Sequence, residues 1–321
     1  MTQKRKLLIL GGSGFIGKSI VACIKQRKLS KHKINELITI SRSDTYQDLN
    51  TNRIKFKFIK KDILKLKKIS EVDFIIYCLR SDNIKISDKY FDHFLKLIRK
   101  YKKKPKILFT SSGAVYGNRL YKKSDKQVEF SENDIINSEK IKKLDKKKIR
   151  YALEKVHIEK KFLNLGKKNY KVSIARCFNF IGKEMAHSNQ AVGSLMRDVI
   201  KNKSIIKLNT TINVYRGYLN DIDMVNWLLT IIHYSNYDCP IFNVGSNKSI
   251  NVRTLAKLIG KTYKKKVLLK KLNNKTCDCY VPSINKAKRL LKLKDSINLK
   301  KSINLIRTYK YEKNFYSNTN I

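Results

Sequence analysis

Short, continuous apolar runs alternate along this chain with longer segments in which apolar residues recur every three or four positions. The continuous runs are typical of strands buried on both faces, and the periodic segments are typical of amphipathic helices. Strands that alternate with helices predict a parallel sheet with crossover helices, so we expect an α/β fold. The predicted strands are residues 6–10, 37–41, 54–59, 74–78, 107–111 and 172–176, and the predicted helices are residues 15–26, 91–101 and 151–165.

A glycine-rich turn, Gly11-Gly-Ser-Gly-Phe-Ile-Gly17, connects the first predicted strand to the first predicted helix. Glycines allow a tight turn and let backbone N–H groups approach a pyrophosphate at the helix N-terminus. An ordinary strand–helix turn is the alternative, but the remaining motifs of the chain favour a dinucleotide site of the Rossmann type. The fingerprint can start at Gly11 or at Gly12, and the residues expected to bind the cofactor are Gly11, Gly14, Phe15, Ile16 and Gly17.

The second predicted strand ends at Ser41-Arg42-Ser43, where an acidic residue would bond the ribose hydroxyls of NAD. Arg42 instead offers a guanidinium that suits a 2′-phosphate, which favours NADP(H) over NAD(H) as the cofactor. An exposed arginine in a basic chain is an equally good interpretation of Arg42, and the sequence leaves both open.

The segment Tyr151-Ala-Leu-Glu-Lys155 places a phenol and an ammonium four residues apart, on one face of a predicted helix. A nearby cation lowers the pKa of a tyrosine, so we expect Tyr151 to exchange a proton near neutral pH with the help of Lys155. Taken alone, the pair would be an aromatic side chain and a solvated lysine. Together with the glycine turn, it predicts hydride chemistry with a nicotinamide dinucleotide.

The composition sets outer limits on the function. The 321 residues are 42% hydrophobic, which permits a sizeable core, and no apolar run is long enough to cross a bilayer. The apolar tract 7–10 is too short for the core of a signal peptide, so we expect a cytoplasmic protein with no membrane partner. The six cysteines then favour reduced thiols, and neither Cys277-Asp-Cys279 nor the five histidines have metal-ligand spacing, so no metal site is expected.

The formal net charge is +47, but the lysines are spread along the whole chain rather than gathered in one segment. A solvated basic surface explains this distribution better than a dedicated polyanion site, so a nucleic-acid partner is not expected. Such a surface would still attract an anionic substrate.

Five further motifs occur in order: Lys61-Asp62-Ile63, Ser111-Ser-Gly-Ala-Val-Tyr-Gly117, Arg176-Cys-Phe-Asn-Phe-Ile-Gly182, Arg216-Gly-Tyr-Leu-Asn-Asp221 and Phe242-Asn-Val-Gly-Ser246. With the glycine turn and the Tyr151–Lys155 pair, they resemble the extended short-chain dehydrogenase/reductases. This is the NAD-dependent epimerase/dehydratase family, which acts on nucleotide sugars. The resemblance runs over residues 11–293, nearly the whole chain.

The resemblance implies roles for individual residues. It implies that Ser112 is the catalytic hydroxyl that bonds the substrate carbonyl, beside Tyr151 as proton donor and Lys155 as the cation that holds the nicotinamide ribose. The other implied contacts are Asp62 and Ile63 at the adenine, Asn179 in the substrate pocket and Arg216 at the diphosphate.

The resemblance also implies the architecture and the assembly. Residues 1–177 are expected to form a doubly wound Rossmann-type domain, with 215–245 returning to it. A smaller mixed α/β C-terminal substrate lobe takes residues 178–214 and 246–321. A homodimer is expected through the helices predicted at 91–101 and 151–165, because relatives pair these helices across a two-fold axis.

Three departures from the family pattern qualify these expectations. The fourth strand ends at Leu79-Arg80 instead of two small alanines, which leaves the role of Arg80 open. A long polar insertion, residues 118–148, lies between Ser112 and Tyr151, where it is expected to shape or cover the pocket. Gly113-Ala114 follows Ser112 in place of the Asp-Glu pair of sugar 4,6-dehydratases, which argues against dehydration.

The leading hypothesis is therefore a reductase of a 4-keto-6-deoxy nucleotide sugar that supplies a deoxyhexose for surface polysaccharide. The first alternative is an NAD-dependent nucleotide-sugar 4-epimerase. The second is a non-catalytic member of the fold that binds RNA, against which the Ser112, Tyr151 and Lys155 set counts. The sequence leaves the sugar, the nucleotide base and the choice between reductase and epimerase open.

Overall fold

The computed structural model describes residues 5–26, 28–43, 54–117, 120–122, 129–183, 191–201, 203–273 and 276–306. Seven of its strands form one sheet: β1 (Arg5–Leu10), β2 (Ile34–Ser41), β3 (Lys55–Lys60), β4 (Phe74–Tyr77), β5 (Lys106–Ser112), β8 (Val172–Cys177) and β12 (Ile241–Val244). The order is β3-β2-β1-β4-β5-β8-β12, and every neighbouring pair is parallel. The predicted Rossmann-type sheet is confirmed.

Helices cover both faces of this sheet. On one face lie α1 (Phe15–Lys25), α6 (Asp221–Tyr234) and α8 (Asn285–Leu291); on the other lie α2 (Ile84–Ile98) and α4 (Lys146–Gly166). Alternate residues of β1 enter opposite cores, Leu7 and Ile9 the first and Leu8 and Leu10 the second. Burial on both faces explains why the strands are continuous apolar runs in the sequence.

Two helices begin earlier than their apolar periodicity predicts. Helix α2 begins at Ile84, where the side chain of Asn83 accepts a hydrogen bond from the Ile86 amide at 3.3 Å. Helix α4 begins at Lys146, where Asp145 accepts from the Lys148 amide at 3.0 Å. In both, a polar capping residue starts a first turn that contributes little to the core, so the apolar spacing alone places the start too late.

A second lobe is built on a mixed sheet of order β13-β11-β15-β6, in which the short strand β9 also pairs with β11 and the short strand β7 also pairs with β15. A separate two-stranded sheet, α5, α7 and a helix over residues 299–306 enclose a third core, which includes Val192, Leu255 and Ile303. The elements are β6 (Leu120–Lys122), β7 (Glu129–Phe130), β9 (Asn179–Ile181), α5 (Ala191–Ile200), β10 (Ile205–Leu208), β11 (Asn213–Asn220), β13 (Ser249–Asn251), α7 (Val252–Tyr263), β14 (Lys266–Leu269) and β15 (Thr276–Pro282). The residue boundaries predicted for the two lobes stay a prediction.

The insertion at 118–148 contains regular structure in the part that is described. Strands β6 and β7 both pair with β15 of the second lobe, and a short helix, α3 (Ser138–Lys142), leads into α4. Residues 118–119 and 123–128 lie outside the described residues. The insertion therefore connects the two lobes, a role that its polar composition does not indicate.

Three negative findings apply to the described ranges. No helix there combines the length and the apolar character needed to cross a membrane. No disulfide joins any of the six cysteines, all of which are described. Within the same ranges, no cluster of three or more His, Cys, Asp or Glu side chains is arranged to hold a metal ion.

Candidate active site

The glycine turn lies at the carboxyl end of β1, next to the point where the strand order reverses between β1 and β4. Gly11 has a φ of +90°, and a Cβ there would lie 2.9 Å from the Cys78 carbonyl oxygen, so only glycine fits without strain. A Cβ on Gly17 would lie 2.5 Å from the Gly12 carbonyl oxygen, so this glycine lets α1 pack against the turn. Gly14 is the N-cap of α1 and supplies no side-chain hydrogen bond to the first turn. The N-terminus of α1 is thus suited to an anionic ligand.

A cavity opens over this turn and brings together five of the predicted cofactor residues. They are Gly11, Gly14, Arg42, Asp62 and Ile63. Phe15, Ile16 and Gly17 do not line it; they form the first turn of α1 behind it, where Phe15 stacks on Phe180 with ring centroids 6.0 Å apart. The cavity extends along the ends of β1, β2 and β4, which is where doubly wound folds bind dinucleotides.

The far end of the cavity carries positive charge. The Arg42 side chain is exposed, and its Nη1 donates to the Tyr90 hydroxyl at 3.4 Å. Lys61, to which the sequence assigns no role, also lines the cavity. Asp62 itself accepts a hydrogen bond from the Leu64 amide at 2.9 Å, which fixes its carboxylate at the cavity edge.

Tyr151 and Ser112 meet beyond the other end of the cavity. Ser112 is the last residue of β5, and its Oγ accepts a hydrogen bond from the Ala114 amide at 3.2 Å. Tyr151 lies in the second turn of α4, with its phenol close enough to the Ser112 side chain for Ser112 to lower the phenol's pKa. The structure therefore brings together the two hydroxyls that the sequence predicts to act on one substrate oxygen.

The acidity of Tyr151 differs from the expectation. Burial raises the pKa of its phenol to about 12, although the neighbouring Ser112 hydroxyl and the charge of Arg80 both lower it. The lowering cation is Arg80 rather than Lys155, because the Lys155 ammonium lies 5.8 Å from the Tyr151 ring centroid whereas the Arg80 guanidinium lies 4.4 Å from it. The phenol is thus fully protonated at neutral pH.

Lys155 is 3% exposed, and its ammonium donates to the Leu79 carbonyl oxygen at 3.4 Å and lies 4.9 Å from the Phe109 ring centroid. Burial lowers the pKa of Lys155, and the neighbouring Glu154 carboxylate opposes this effect. The lysine is therefore held at the wall between the cavity and α4 rather than in solvent.

Arg80 is a cavity residue whose role the sequence leaves open. It lines the same cavity as the glycine turn while its guanidinium stacks over Tyr151. Two hydrogen bonds to Asp82, at 2.6 and 2.8 Å, hold the guanidinium, and its side chain is 56% exposed. The arginine thus links the cofactor cavity to the predicted proton donor.

The predicted substrate residues lie in the second lobe and at its border. Asn179 is buried, and its Nδ2 donates no hydrogen bond to the described residues. Arg216 already has partners: it donates to the Asp278 carboxylate at 2.6 Å and stacks over Tyr280, with its guanidinium carbon 5.7 Å from the ring centroid. Tyr280 in turn packs on Phe178, at 4.6 Å, which connects Arg216 to the neighbour of Asn179.

The remaining motifs form a buried polar network behind the site. Arg176 donates to Glu159 through two nitrogens, at 3.1 and 2.9 Å, and to the Tyr116 hydroxyl at 3.0 Å. Tyr116 donates to Asn243 at 2.9 Å, and Ser111, next to Ser112, donates to Glu159 at 2.5 Å. Arg176 thus has a structural function, and the network holds the end of β5 in place.

Comparisons with known proteins identify the fold and the family. A dTDP-4-dehydro-6-deoxyglucose reductase from Escherichia coli is 26% identical over 296 residues, which cover 83% of this chain and 84% of that protein. Among solved structures, a UDP-glucose 4-epimerase from Thermotoga maritima with UDP-glucose matches with a TM-score of 0.69 and 18% identity, over 97% of this chain and 99% of its own. RMD from Pseudomonas aeruginosa, complexed with NADPH, matches with a TM-score of 0.69 and 17% identity, over 96% of this chain and all of its own, 100%.

At these identities the structural likenesses establish the fold alone. A sequence profile goes further, because it matches residues 7–245, well over half of the chain. The matched stretch contains the glycine turn, the Ser112–Tyr151–Lys155 set and the buried network behind it. The chain therefore belongs to the NAD dependent epimerase/dehydratase family.

Proposed function

We propose that this protein reduces a 4-keto-6-deoxy nucleotide sugar with NADPH, in the cytoplasm, to supply a deoxyhexose for surface polysaccharide. The observation that carries the proposal is the position of the Tyr151 phenol, which lies near the Ser112 side chain and beneath the guanidinium of Arg80, a residue that lines the glycine-rich cavity. A phenol at this place can donate a proton to a carbonyl oxygen whose carbon receives a hydride, and Arg42, which suits exchangeable NADPH, favours the reductase over the epimerase.

The cavity residues fit a nicotinamide dinucleotide. Gly11 and Gly14 let the backbone approach a pyrophosphate at the N-terminus of α1, and a Cβ on Gly11 would collide with the backbone of β4. Asp62 and Ile63 lie where an adenine would be enclosed, and Arg42 lies beside them with its charge available to a 2′-phosphate. These positions support NADP(H) over NAD(H).

The protein side of the reaction follows from the hydroxyls. A bound nicotinamide cofactor supplies the hydride to the carbonyl carbon. Ser112 donates a hydrogen bond to the carbonyl oxygen and stabilises its developing negative charge, and Tyr151 transfers its phenolic proton to that oxygen. The Arg80 charge favours loss of the proton from Tyr151, and Lys155 would hold the nicotinamide ribose.

The substrate class is supported by Asn179, Arg216 and the named relative. The buried Asn179 amide has donor capacity left for a substrate oxygen. Arg216 donates to the Tyr215 and Asp278 carbonyl oxygens and to the Asp278 carboxylate, so binding of a diphosphate would exchange these partners for phosphate oxygens. Both would act on an anionic nucleotide sugar, and the relative with 26% identity is named as a reductase of such a compound. The likeness to a 4-epimerase keeps epimerisation as the second candidate.

We further propose a homodimer through α2 and α4. The two helices lie side by side, and ion pairs join them: Lys161 of α4 lies 2.6 Å from Asp88 and 3.2 Å from Asp92 of α2. These ion pairs hold the two helices together, so that their outward surface could form one side of an isologous two-fold contact.

The test is a panel of 4-keto and 4-hydroxy nucleotide sugars, each incubated with NADPH or NADH while nicotinamide absorbance and products are followed. We expect consumption of NADPH with a 4-keto-6-deoxy substrate and a new 4-hydroxy product. The matched control is Ser112→Ala, which should lose turnover but retain cofactor binding. Interconversion of 4-hydroxy sugars without net consumption of cofactor would establish the epimerase instead.

A further inference from the structure

Helix α4 has a buried carboxylate at Glu154, which stands between Tyr151 and Lys155 in the sequence. Glu154 is 1% exposed, and Ser87 of α2 donates to its Oε1 at 2.6 Å. Its Oε2 is also buried, accepts no hydrogen bond from the described residues and lies 3.8 Å from the Lys155 ammonium. A carboxylate without water is costly unless a cation compensates it, so Glu154 and Lys155 form a buried ion pair.

The same region holds a second cation. The Arg80 guanidinium lies 4.4 Å from the Tyr151 ring centroid, on the cavity side. Burial lowers the pKa of Lys155 most, the charge of Arg80 lowers it further, and Glu154 acts in the opposite direction. Without a counter-charge, two cations around one buried phenol would drive the lysine toward its neutral form.

The other titratable groups that face this pair do not supply a charge near neutral pH. The Cys78 and Cys177 thiols lie at the ends of β4 and β8, and burial raises the pKa of both, that of Cys78 to about 11. Burial and the Glu154 charge likewise raise the pKa of Tyr77, at the end of β4. Among the described residues that influence Lys155, Glu154 is therefore the one with a negative charge at neutral pH.

We propose that Glu154 is a positioning residue: its buried carboxylate, oriented by Ser87, keeps the Lys155 ammonium charged and in place in a site that also contains Arg80. Glu154 and Arg80 then belong together, the arginine adding a cation beside Tyr151 and the glutamate compensating for it. The kinetic consequence rests on the proposed function, whereas the electrostatic consequence does not.

The kinetic test is the pH profile of kcat/KM for Glu154→Gln, which keeps the size of the side chain and its contact with Ser87. We expect the alkaline limb of the profile to move to lower pH by about one unit, because Lys155 loses its proton more easily. The double variant Glu154→Gln, Arg80→Gln should show a smaller shift of the alkaline limb than Glu154→Gln alone, because it also lacks the second cation. Glu139→Gln, an exposed carboxylate on α3 paired with Lys142, is the matched control and should leave the limb in place. An unchanged limb in Glu154→Gln overturns the proposal.

A second readout needs neither substrate nor cofactor. Glu154→Gln leaves a buried ammonium without a partner, so it should unfold at a lower temperature than the parent near pH 7. The difference should narrow as the pH rises toward about 10, because Lys155 can then become neutral in the folded state. A difference that does not vary with pH would mean that Glu154 is merely a packing residue.

The two readouts separate the two claims. If the parent turns over no nucleotide sugar, the proposed function fails, and the unfolding comparison still decides the role of Glu154. If Glu154→Gln does not fold, Ser87→Ala takes its place, because it loosens the carboxylate without removing its charge. If the alkaline limb of the kcat/KM profile of Ser87→Ala lies at lower pH than that of the parent, the proposal is supported. If the limb is unchanged, the proposal is overturned.

Discussion

Replacing Arg42 with alanine tests the choice of cofactor. The Arg42 guanidinium is exposed at the adenosine end of the cavity, and its hydrogen bond to Tyr90 is long, at 3.4 Å, so its loss should cost the free protein little. In a complex with NADPH it would make a charge-assisted contact with the 2′-phosphate, worth about 1.5–3 kcal/mol. Arg42→Ala should therefore raise the dissociation constant of NADPH roughly ten- to 150-fold. NADH has no group at that position, so its affinity should change far less.

The assay is a fluorescence titration of both reduced cofactors against the parent, Arg42→Ala and Arg99→Ala. Arg99 is an exposed arginine at the C-terminal end of α2, outside the cavity lining, so its variant carries the same change in net charge. Parent-like binding of both cofactors by Arg42→Ala would refute the contact and remove the argument for NADPH. Equal weakening by the two variants would assign the effect to the overall charge of the chain.

Three further predictions concern Tyr151, the helices α2 and α4, and the half-buried His233. Tyr151→Phe keeps the ring and loses the transferable proton, so turnover should fall by about 100-fold or more while the cofactor dissociation constant stays within about twofold; near-parental turnover would exclude Tyr151 as the proton donor. Light scattering at micromolar concentration should give twice the chain mass of 37.6 kDa, through a contact of α2 and α4, and a monomer mass would exclude that contact. Burial, the charge of Arg5 and nearby basic groups lower the pKa of His233 to about 4 in the folded protein, from an ordinary value of 6.5. The unfolded chain thus binds the extra proton first, and the free energy of unfolding should fall by about 1–2 kcal/mol between roughly pH 6.5 and pH 4, a dependence that His233→Asn should flatten.

The sequence predicts the inner strands of the central sheet well because they are buried on both faces, whereas the edge strand β3 is exposed or half-buried throughout. The run of β1 sends Leu7 and Ile9 into one core and Leu8 and Leu10 into the other, so the buried strand can be identified without its neighbours. The glycine turn can also be predicted from neighbouring residues alone, because the positive φ at position 11 favours glycine and glycine is present there. These features need no knowledge of distant contacts.

Features that depend on contacts between distant segments are predicted less well. The insertion 118–148 has the composition of a solvated loop, yet β6 and β7 within it pair with β15, more than a hundred residues away. The acidity of Tyr151 was expected to depend on Lys155, four residues along the helix, but it depends on burial and on Arg80 from another element. A residue spacing gives the direction of a side chain along a helix but gives neither its burial nor the charges brought to it by the fold.

Glu154 illustrates the same limit within one motif. It lies between Tyr151 and Lys155 in the sequence, where an acidic residue on a lysine-rich helix suggests a solvated surface position. Its burial is evident only once α2 packs on α4 and brings Ser87 to its carboxylate. The local sequence gives no sign of this burial, since Arg150 lies four residues before Glu154, at the spacing of an ion pair on a helix surface.

The central claim is that this protein passes a hydride from exchangeable NADPH to a keto sugar. The most direct measurement uses NADPH deuterated at the transferring position of C4, a 4-keto-6-deoxy nucleotide sugar and mass spectrometry of the product. The account predicts one deuterium in each 4-hydroxy product and the loss of one equivalent of NADPH. A 4-hydroxy product that carries no deuterium, formed while NADPH remains unconsumed, would contradict it.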